Sequence, residues 1–593
     1  MTRRLYLLLT FIISVSFLAG CTGRERPERL TLKIVATSDV HGLLFPHDFI
    51  NDVPADGSLT RVYSYVREQR EKKDAEIVLL DAGDILQGQP LVYYSNFIDT
   101  GRIHIVPEVM NRMGYDAIVV GNHDIEAGRP VYGKIVDESE FPWLAANVVN
   151  NATGRPWFKP YTVIDIRGVK IAVVGFTTSM VPEWLPQQLW EGMEFKEIKC
   201  EAERWMQVIL EKEDPDIVVG LFHEGMGETV SSGPGEPAAY TGGAGMIASS
   251  VPGFDIIITG HDHRRWNTWV EGPDGNMVLV AGPGSHGRHV AEVTVDLEFN
   301  INKGSYDRNV SGKIISMEGY EPCWGLVAEF QGRIDEARDY VSRQIGRLEA
   351  DISSRESLFG SSPFVDIVHR LQLDMTGADI SFAAPLSYDA TLEKGYLTVG
   401  DMFSLYRFEN FLYTMELYGS EIKNYLEYSY GNWFNTMMRE DDLLLRYRTA
   451  HEDSPIILDD GGTYRLAGAA FDFDSAAGID YTVDVRQPAG KRVTIHTMSN
   501  GEPFLADRKY LVAINSYRGS GGGGHLEQGA GIPRSHFGKR LVSSTERDLR
   551  HYLMEYIEKE EVIHPVALNN WTVIPEEWQR KAKEREIKLL FAD

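Results

Sequence analysis

Thiols are almost missing from this chain: three cysteines, Cys21, Cys200 and Cys323, in 593 residues. That is too few for a disulfide framework, and no two of them have the close spacing of a structural zinc knot. Cys200 and Cys323 read as buried or idle, and nothing in the sequence requires a bond between them. Positive charge is also short. Lys and Arg number 59 against 86 Asp and Glu, a net charge of −27. The basic footprint of a nucleic-acid partner is therefore absent, although a small anionic ligand remains compatible if bound cations reverse the field locally. Beyond the N-terminus no apolar run approaches the roughly 20 residues that span a bilayer, and no feature calls for an obligate protein partner. Hydrophobic residues at 43% and charged ones at 24% are ordinary for a globular chain, and this length calls for two or more cores.

The first residues read as a targeting segment rather than as part of the fold. Arg3 and Arg4 precede the apolar run Leu5 to Phe17, and Leu18-Ala-Gly-Cys21 follows where cleavage is expected. That tetrapeptide resembles a bacterial lipobox. The resemblance implies a signal peptide over 1–21 and a lipidated Cys21. The mature protein would then be secreted and anchored by lipid to the cell envelope, on its periplasmic or outer face.

Turning to the body of the chain, β-branched runs alternate with helical patterns: strands over 30–37, 75–80, 115–120, 170–176, 216–221, 254–259, 277–281 and 289–297, with a helix near 59–73. This predicts an α/β architecture with largely parallel pairing, in which ligands bind beyond the carboxyl ends of the strands. Five of those ends carry donor side chains: Asp39 and His41, Asp84, Asn122 with His123, His223, and His261 with His263. Singly, each has a bland explanation, since an Asp or Asn after a strand is usually turn chemistry and a lone His is usually structural. Together they point to one dinuclear metal site. Mixed carboxylate, imidazole and amide donors without thiolates suit Zn, Mn, Fe or Co. His47, His104, His286 and His289 read as surface or loop residues.

Asp-x-His, Gly83-Asp84-Ile-Leu-Gln-Gly88, Gly121-Asn122-His123, a lone His and Gly260-His261-x-His263 stand in an order that resembles the calcineurin-like metallophosphoesterases, in the 5′-nucleotidase and 2′,3′-cyclic-nucleotide phosphodiesterase branch. The resemblance implies a four-layer α/β/β/α sandwich over 30–318. It further implies that Asp39, His41 and His263 hold one divalent ion and Asn122, His223 and His261 a second, with Asp84 bridging. His123 would face the phosphoryl group. Many relatives carry an Asp three residues after that histidine to orient it, and here the position is Glu126.

A linker helix is expected over 319–347, from helical spacing across Val327 to Arg347, followed by an α+β substrate-binding domain over 348–590. Two stretches there resemble the family's nucleoside-binding loops: Leu405-Tyr-Arg-Phe-Glu-Asn-Phe-Leu412, pointing to Phe408 and Asn410, and Ala513 to Gly524, pointing to Tyr517. Phe471 to Asp480 also matches the family's domain. Arg355-Glu-Ser-Leu-Phe-Gly360 resembles a loop whose arginine holds the substrate phosphate. The Gly-Gly-Ile-Arg loop typical of 5′-nucleotidases is absent, and Ala383-Ala-Pro-Leu-Ser-Tyr388 stands in its place.

The expectation is a nucleotide phosphohydrolase acting on 2′,3′-cyclic nucleotides and 3′-nucleotides, with attack on phosphorus by a hydroxide between two metals. The alternatives are a 5′-nucleotidase and, outside the enzymes, an inert nucleoside-binding surface lipoprotein. Because metal and nucleoside sites fall in different domains, the resemblance also implies domain rotation or closure on binding.

Overall fold

A computed structural model of the chain describes residues 26–230, 239–449, 456–458 and 462–591. Cys21 and the rest of the targeting segment lie outside the described residues. Within them, no helix is long and apolar enough to cross a membrane.

The β-branched runs of the first half assemble into two six-stranded sheets. In the first, Arg29–Thr37, Glu76–Asp81, Ala117–Val119 and Trp143–Leu144 pair in parallel, while His289–Asn300 and Ser305–Ser316 close one side antiparallel. In the second, Val169–Thr177, Ile217–His223, Ile256–Thr259 and Met277–Pro283 are parallel, with antiparallel edges at Tyr161–Ile166 and Arg265–Glu271. The pairing is thus parallel from the centre to one edge of the first sheet and only at the centre of the second.

Period-two alternation decides what lies on each face. Leu32, Ile34 and Ala36 point between the sheets, where they meet Ile171, Val173, Val219, Leu221, Ile256 and Ile258. Val35, Leu79 and Ile118 point the other way, onto helices that include Leu59–Lys72 and Ile105–Met113. The outer face of the second sheet is covered by Ile198–Glu213 and Gly243–Ser250. Helix, sheet, sheet and helix make four layers. Each fully buried Val, Leu or Ile contributes about 1.5–3 kcal/mol, so a one-residue register slip, which would turn every side chain to the opposite face, is strongly disfavoured. The first helix shows the local logic. The Ser58 hydroxyl accepts from Arg61 N at its start, and Leu59, Val62, Tyr65, Val66 and Gln69 form the buried stripe.

The linker differs from expectation. Trp324–Glu329 and Gln331–Ser342 are two helices meeting at Phe330, and Gln344–Leu348 is a strand that pairs with Gly395–Thr398 and Val562–Ile563. Ile345 and Arg347 therefore lie on a strand, not on the helix. Ile334 and Ala337 pack into the core of the first sheet's helical layer. Among the histidines, His104 is buried rather than superficial, and its Nδ1 accepts from Val106 N to cap the next helix. Cys200 is exposed, Cys323 is buried, and both are free.

The second half is α+β. A five-stranded sheet runs in the order Ser475–Ala477, Ile380–Ala383, Lys509–Asn515, Phe411–Tyr418, Leu541–Asp548, packed by helices that include Pro363–Thr376 and Gly419–Trp433. Leu412 is paired antiparallel with Asn515. The loop entering one strand and the loop leaving the other therefore emerge at the same sheet edge, and Phe411 N donates to Ser516 Oγ at 3.0 Å to join them. The two halves touch through Tyr93 OH on Asp548 Oδ2 at 3.2 Å, Gln188 Nε2 on Ser544 Oγ at 2.9 Å, and an Arg534–Glu183 ion pair.

Candidate active site

Because the central strands of both sheets are parallel, their carboxyl ends meet at one edge of the sandwich. Cross-links fix the loops there: Asp39 N donates to Gly83 O, His41 N to Asp84 O and Gly260 N to Phe222 O, at 2.8–3.0 Å. Asp39, His41, Asp84, His261 and His263 all adopt left-handed backbone conformations, with φ between 48° and 73°. Such residues cost about 1–3 kcal/mol each and persist only where the surroundings hold them. Two glycines make the approach possible. A Cβ on Gly121 would stand 2.1 Å from Asp84 Oδ1, and one on Gly260 2.0 Å from Ser38 Oγ.

The donor atoms form two groups, Asp39 with His41 and His263, and Asp84 with His223 and His261, each contained within 4.8 Å. His41 Nε2 and His263 Nε2 face each other at 3.0 Å, and His263 Nε2 is 3.4 Å from Asp39 Oδ1. His223 Nε2 lies 3.0 Å from Asp84 Oδ2 and 3.1 Å from Asn122 Oδ1. Facing nitrogens and oxygens at such separations are poor partners for each other and good partners for a cation between them. His223 Nδ1 donates to Ala82 O at 2.7 Å, which leaves Nε2 as the ligating atom and fixes the ring. The residues therefore fit a pair of divalent ions.

Electrostatics agree. Burial raises the Asp84 carboxyl, but His223 and then His123 overcome this and hold it well below the carboxylate range. The Asp84 charge acts on His41, His123, His223, His261 and His263 alike, as a carboxylate between two groups would. Burial, opposed by Asp84 and Asp39, leaves His223 raised to about 10. Burial pushes Asp39 up and holds His261 down to about 3.

His123 lies in the first turn of the short helix Asn122–Glu126. Its N–H donates to Asp84 Oδ1 at 2.8 Å, and its Nδ1 lies 2.5 Å from Glu126 Oε2. The longer Glu side chain thus reaches the imidazole. Burial lowers His123, but Asp84 and then Glu126 outweigh it and raise the group to about 9. With Nδ1 engaged, Nε2 is the nitrogen left for a ligand.

Asn122, His123, Glu126 and His261 line a cavity of about 300 Å³ whose other wall is Phe408, Asn410 and Tyr517 from the second half. Donor groups and expected nucleoside loops thus already share one cavity in this conformer. Arg355 does not join them. Its guanidinium is held bidentately by Asp389, at 2.6 and 3.1 Å, and lies 4.3 Å over the Phe591 ring, apart from the cavity lining.

Several residues escaped the sequence reading. Asp124 is buried and accepts from Asp84 N, Ile85 N, Leu86 N and Gly121 N at 2.8–3.1 Å, locking two donor loops together. It immediately follows His123, and its position was the available signal. Trp184 stacks on His261 at 5.3 Å, Phe471 meets Phe408 edge-on at 5.6 Å, and both line the cavity. His286 sits 5.7 Å from His41 and 6.2 Å from His263, at the edge of the donor cluster. Arg518, fully buried, bonds Asp474, Asp472, Phe471 O and Gly522 O and so ties the Phe471 and Tyr517 loops together.

Comparison with known proteins fits this geometry. Residues 32–265 match the calcineurin-like phosphoesterase family and residues 344–528 the 5′-nucleotidase C-terminal domain. A 2′,3′-cyclic-nucleotide 2′-phosphodiesterase/3′-nucleotidase of Yersinia enterocolitica is 26% identical over 95% of this chain and 91% of its own length. A trifunctional nucleotide phosphoesterase protein of Bacillus subtilis is 27% identical over 92% of this chain, which spans only 39% of that protein. A 5′-nucleotidase precursor from Thermus thermophilus superposes with a TM-score of 0.60 at 20% identity, covering 92% of this chain and 100% of its own.

Proposed function

We propose, for a chain that joins a calcineurin-like phosphoesterase domain to a 5′-nucleotidase C-terminal domain and is thereby a metal-dependent phosphoester hydrolase, that it hydrolyses 2′,3′-cyclic nucleotides and 3′-nucleotides. The observation that carries this reading is the shared cavity, with Asn122, His123 and His261 on one wall and Phe408, Asn410 and Tyr517 on the other. Its volume, about 300 Å³, is at the small end of ligand pockets. The full-length likeness to the cyclic phosphodiesterase/3′-nucleotidases and the sequence Ala383 to Tyr388 in place of Gly-Gly-Ile-Arg favour this substrate class.

In this reading Asp39, His41 and His263 would hold one divalent ion and Asn122, His223 and His261 the other, with Asp84 available to both. When bound, the two ions supply Lewis acidity and a positive clamp for the phosphate. The chain's own groups do the rest. Phe408 and Tyr517 bracket the base, where stacking on aromatic faces contributes about 1–3 kcal/mol per base, and Asn410 supplies a polar contact. His123 Nε2 faces the phosphoryl group and gives a proton to the leaving oxygen, while Glu126 holds the ring and favours its charged form. Trp184 and Leu185 complete the wall that limits water. Cys21 carries the lipid anchor in the same proposal, placing the enzyme at the envelope surface.

A substrate panel tests the reading. Opening of 2′,3′-cyclic AMP to 3′-AMP, and phosphate release from 3′-AMP, each with Zn, Mn or Co supplied, are expected to exceed phosphate release from 5′-AMP. Strong preference for 5′-AMP would select the 5′-nucleotidase alternative. Nucleoside binding without turnover of any of the three would select an inert binding protein.

A further inference from the structure

A second cavity, of about 390 Å³, lies on the far side of the aromatic wall. It shares Leu386, Phe408 and Phe471 with the catalytic cavity, so the edge-to-face Phe408–Phe471 pair is the partition between the two. Its own lining includes Tyr388, Tyr464 and two arginines, Arg407 and Arg465.

The arginines set this cavity apart. In a chain of net charge −27, several arginines around the second domain's loops are engaged by carboxylates: Arg355 by Asp389, Arg518 by Asp472 and Asp474, and Arg534 by Glu183 and Glu527. Arg407 and Arg465 are exposed, and among the described residues neither guanidinium has an ion pair or hydrogen bond. Two free guanidiniums on one cavity repel each other and attract an anion, and their planar forks suit phosphate oxygens. The two cavities are joined through their shared lining of Leu386, Phe408 and Phe471.

We propose that the second cavity is a subsite for a further phosphate of the substrate, held by Arg407 and Arg465. The ligand is a nucleotide bearing a second phosphate besides the one cleaved, with Tyr388 and Tyr464 offering aromatic surface to whatever nucleoside that phosphate carries. The proposal rests on the nucleotidase reading above, with the first nucleoside between Phe408 and Tyr517. Two sources share this chemistry: the terminal phosphate of a nucleoside 3′,5′-bisphosphate, and the bridging phosphate of a dinucleotide.

Initial rates of the metal-loaded full chain on 3′-AMP, adenosine 3′,5′-bisphosphate and a diadenosine dinucleotide ending in a 3′-phosphate test it. The wild type is expected to show a KM about 5- to 10-fold lower for one or both of the last two than for 3′-AMP, as one or two partly exposed charge pairs would give. The advantage should shrink as salt screens it. Arg465→Ala should abolish the advantage while leaving 3′-AMP turnover unchanged, and Arg465→Lys should retain much of it. An advantage confined to the bisphosphate assigns a terminal phosphate, and one confined to the dinucleotide a bridging phosphate. Equal KM values for all three substrates, or an advantage that survives both Arg465→Ala and Arg407→Ala, would overturn the subsite and leave the nucleotidase reading standing. No phosphate release from any of the three would overturn both.

Discussion

Glu126 is the residue through which the mechanism can be tested most directly. Its carboxylate lies 2.5 Å from His123 Nδ1, with the Glu126 side chain 6% exposed and that of His123 25% exposed. Glu126→Gln keeps an oxygen acceptor in place and removes the charge. A hydrogen bond to a charged group is worth about 1.5–3 kcal/mol, roughly twice a neutral one, so the substitution sacrifices about 1 kcal/mol of preference for the protonated ring. At 1.36 kcal/mol per pKa unit, that is a fall of somewhat under one unit. The sign follows from the role. His123 acts as proton donor, so activity is present below its pKa and is lost as pH rises through it. With Asp84 neutralised by bound ions, the value of about 9 in the ion-free protein is an upper bound for the alkaline limb of the loaded enzyme. Glu126→Gln should move that limb down by a little less than one pH unit. Above it kcat should fall about 5-fold, while KM and metal content stay unchanged, because Glu126 belongs to neither donor group. The measurement is kcat against pH for phosphate release from 3′-AMP, a single hydrolysis, with metal content measured in parallel. An unmoved alkaline limb, or loss of metal in the variant, would refute the pairing.

The other predictions concern the same cavity. His123→Ala should retain both metals and lose about 10²- to 10⁴-fold in kcat, whereas Asp84→Ala should lose metal and activity together; metal analysis beside the rate separates the two. In the ion-free protein His223 is raised to about 10 and Asp39 is pushed up by burial, so loading near pH 7 must displace at least the His223 proton. Metal affinity should then rise about tenfold per pH unit for each proton released, and calorimetry in buffers of different ionisation enthalpy should detect that release; none at pH 7 would contradict the assignment of His223. Arg355→Ala should cost about 1 kcal/mol or less and leave KM unaltered, since its guanidinium is engaged by Asp389 and Phe591 in a partly exposed setting. Arg518→Met should cost about 3–5 kcal/mol in denaturant melts, because it strands the buried Asp474 carboxylate. A raised KM in the first variant or an unshifted melt in the second would reverse these roles.

The sequence by itself determined the strands and what hangs on their ends. Period-two runs such as Leu30 to Thr37 specify a buried strand locally, and an Asp, Asn or His placed just beyond such a run is visible without coordinates. That is why the donor set of Asp39, His41, Asp84, Asn122, His223, His261 and His263 could be named from spacing and resemblance. Only the tertiary structure decided what depends on distance between remote segments. It brought strand ends from two different sheets to one edge, and it showed that Glu126 spans the gap an Asp would otherwise fill. It turned Arg355 towards Asp389, it set Trp184 and Phe471 in the wall of the cavity, and it placed His286 beside the donor cluster. It also ended the linker helix at Ser342, because Gln344–Leu348 found strand partners at Gly395–Thr398 and Val562–Ile563. Local pattern fixes which face a side chain takes. Which groups meet across hundreds of residues is decided by the packing of the layers, and the chemistry of this site lies in those meetings.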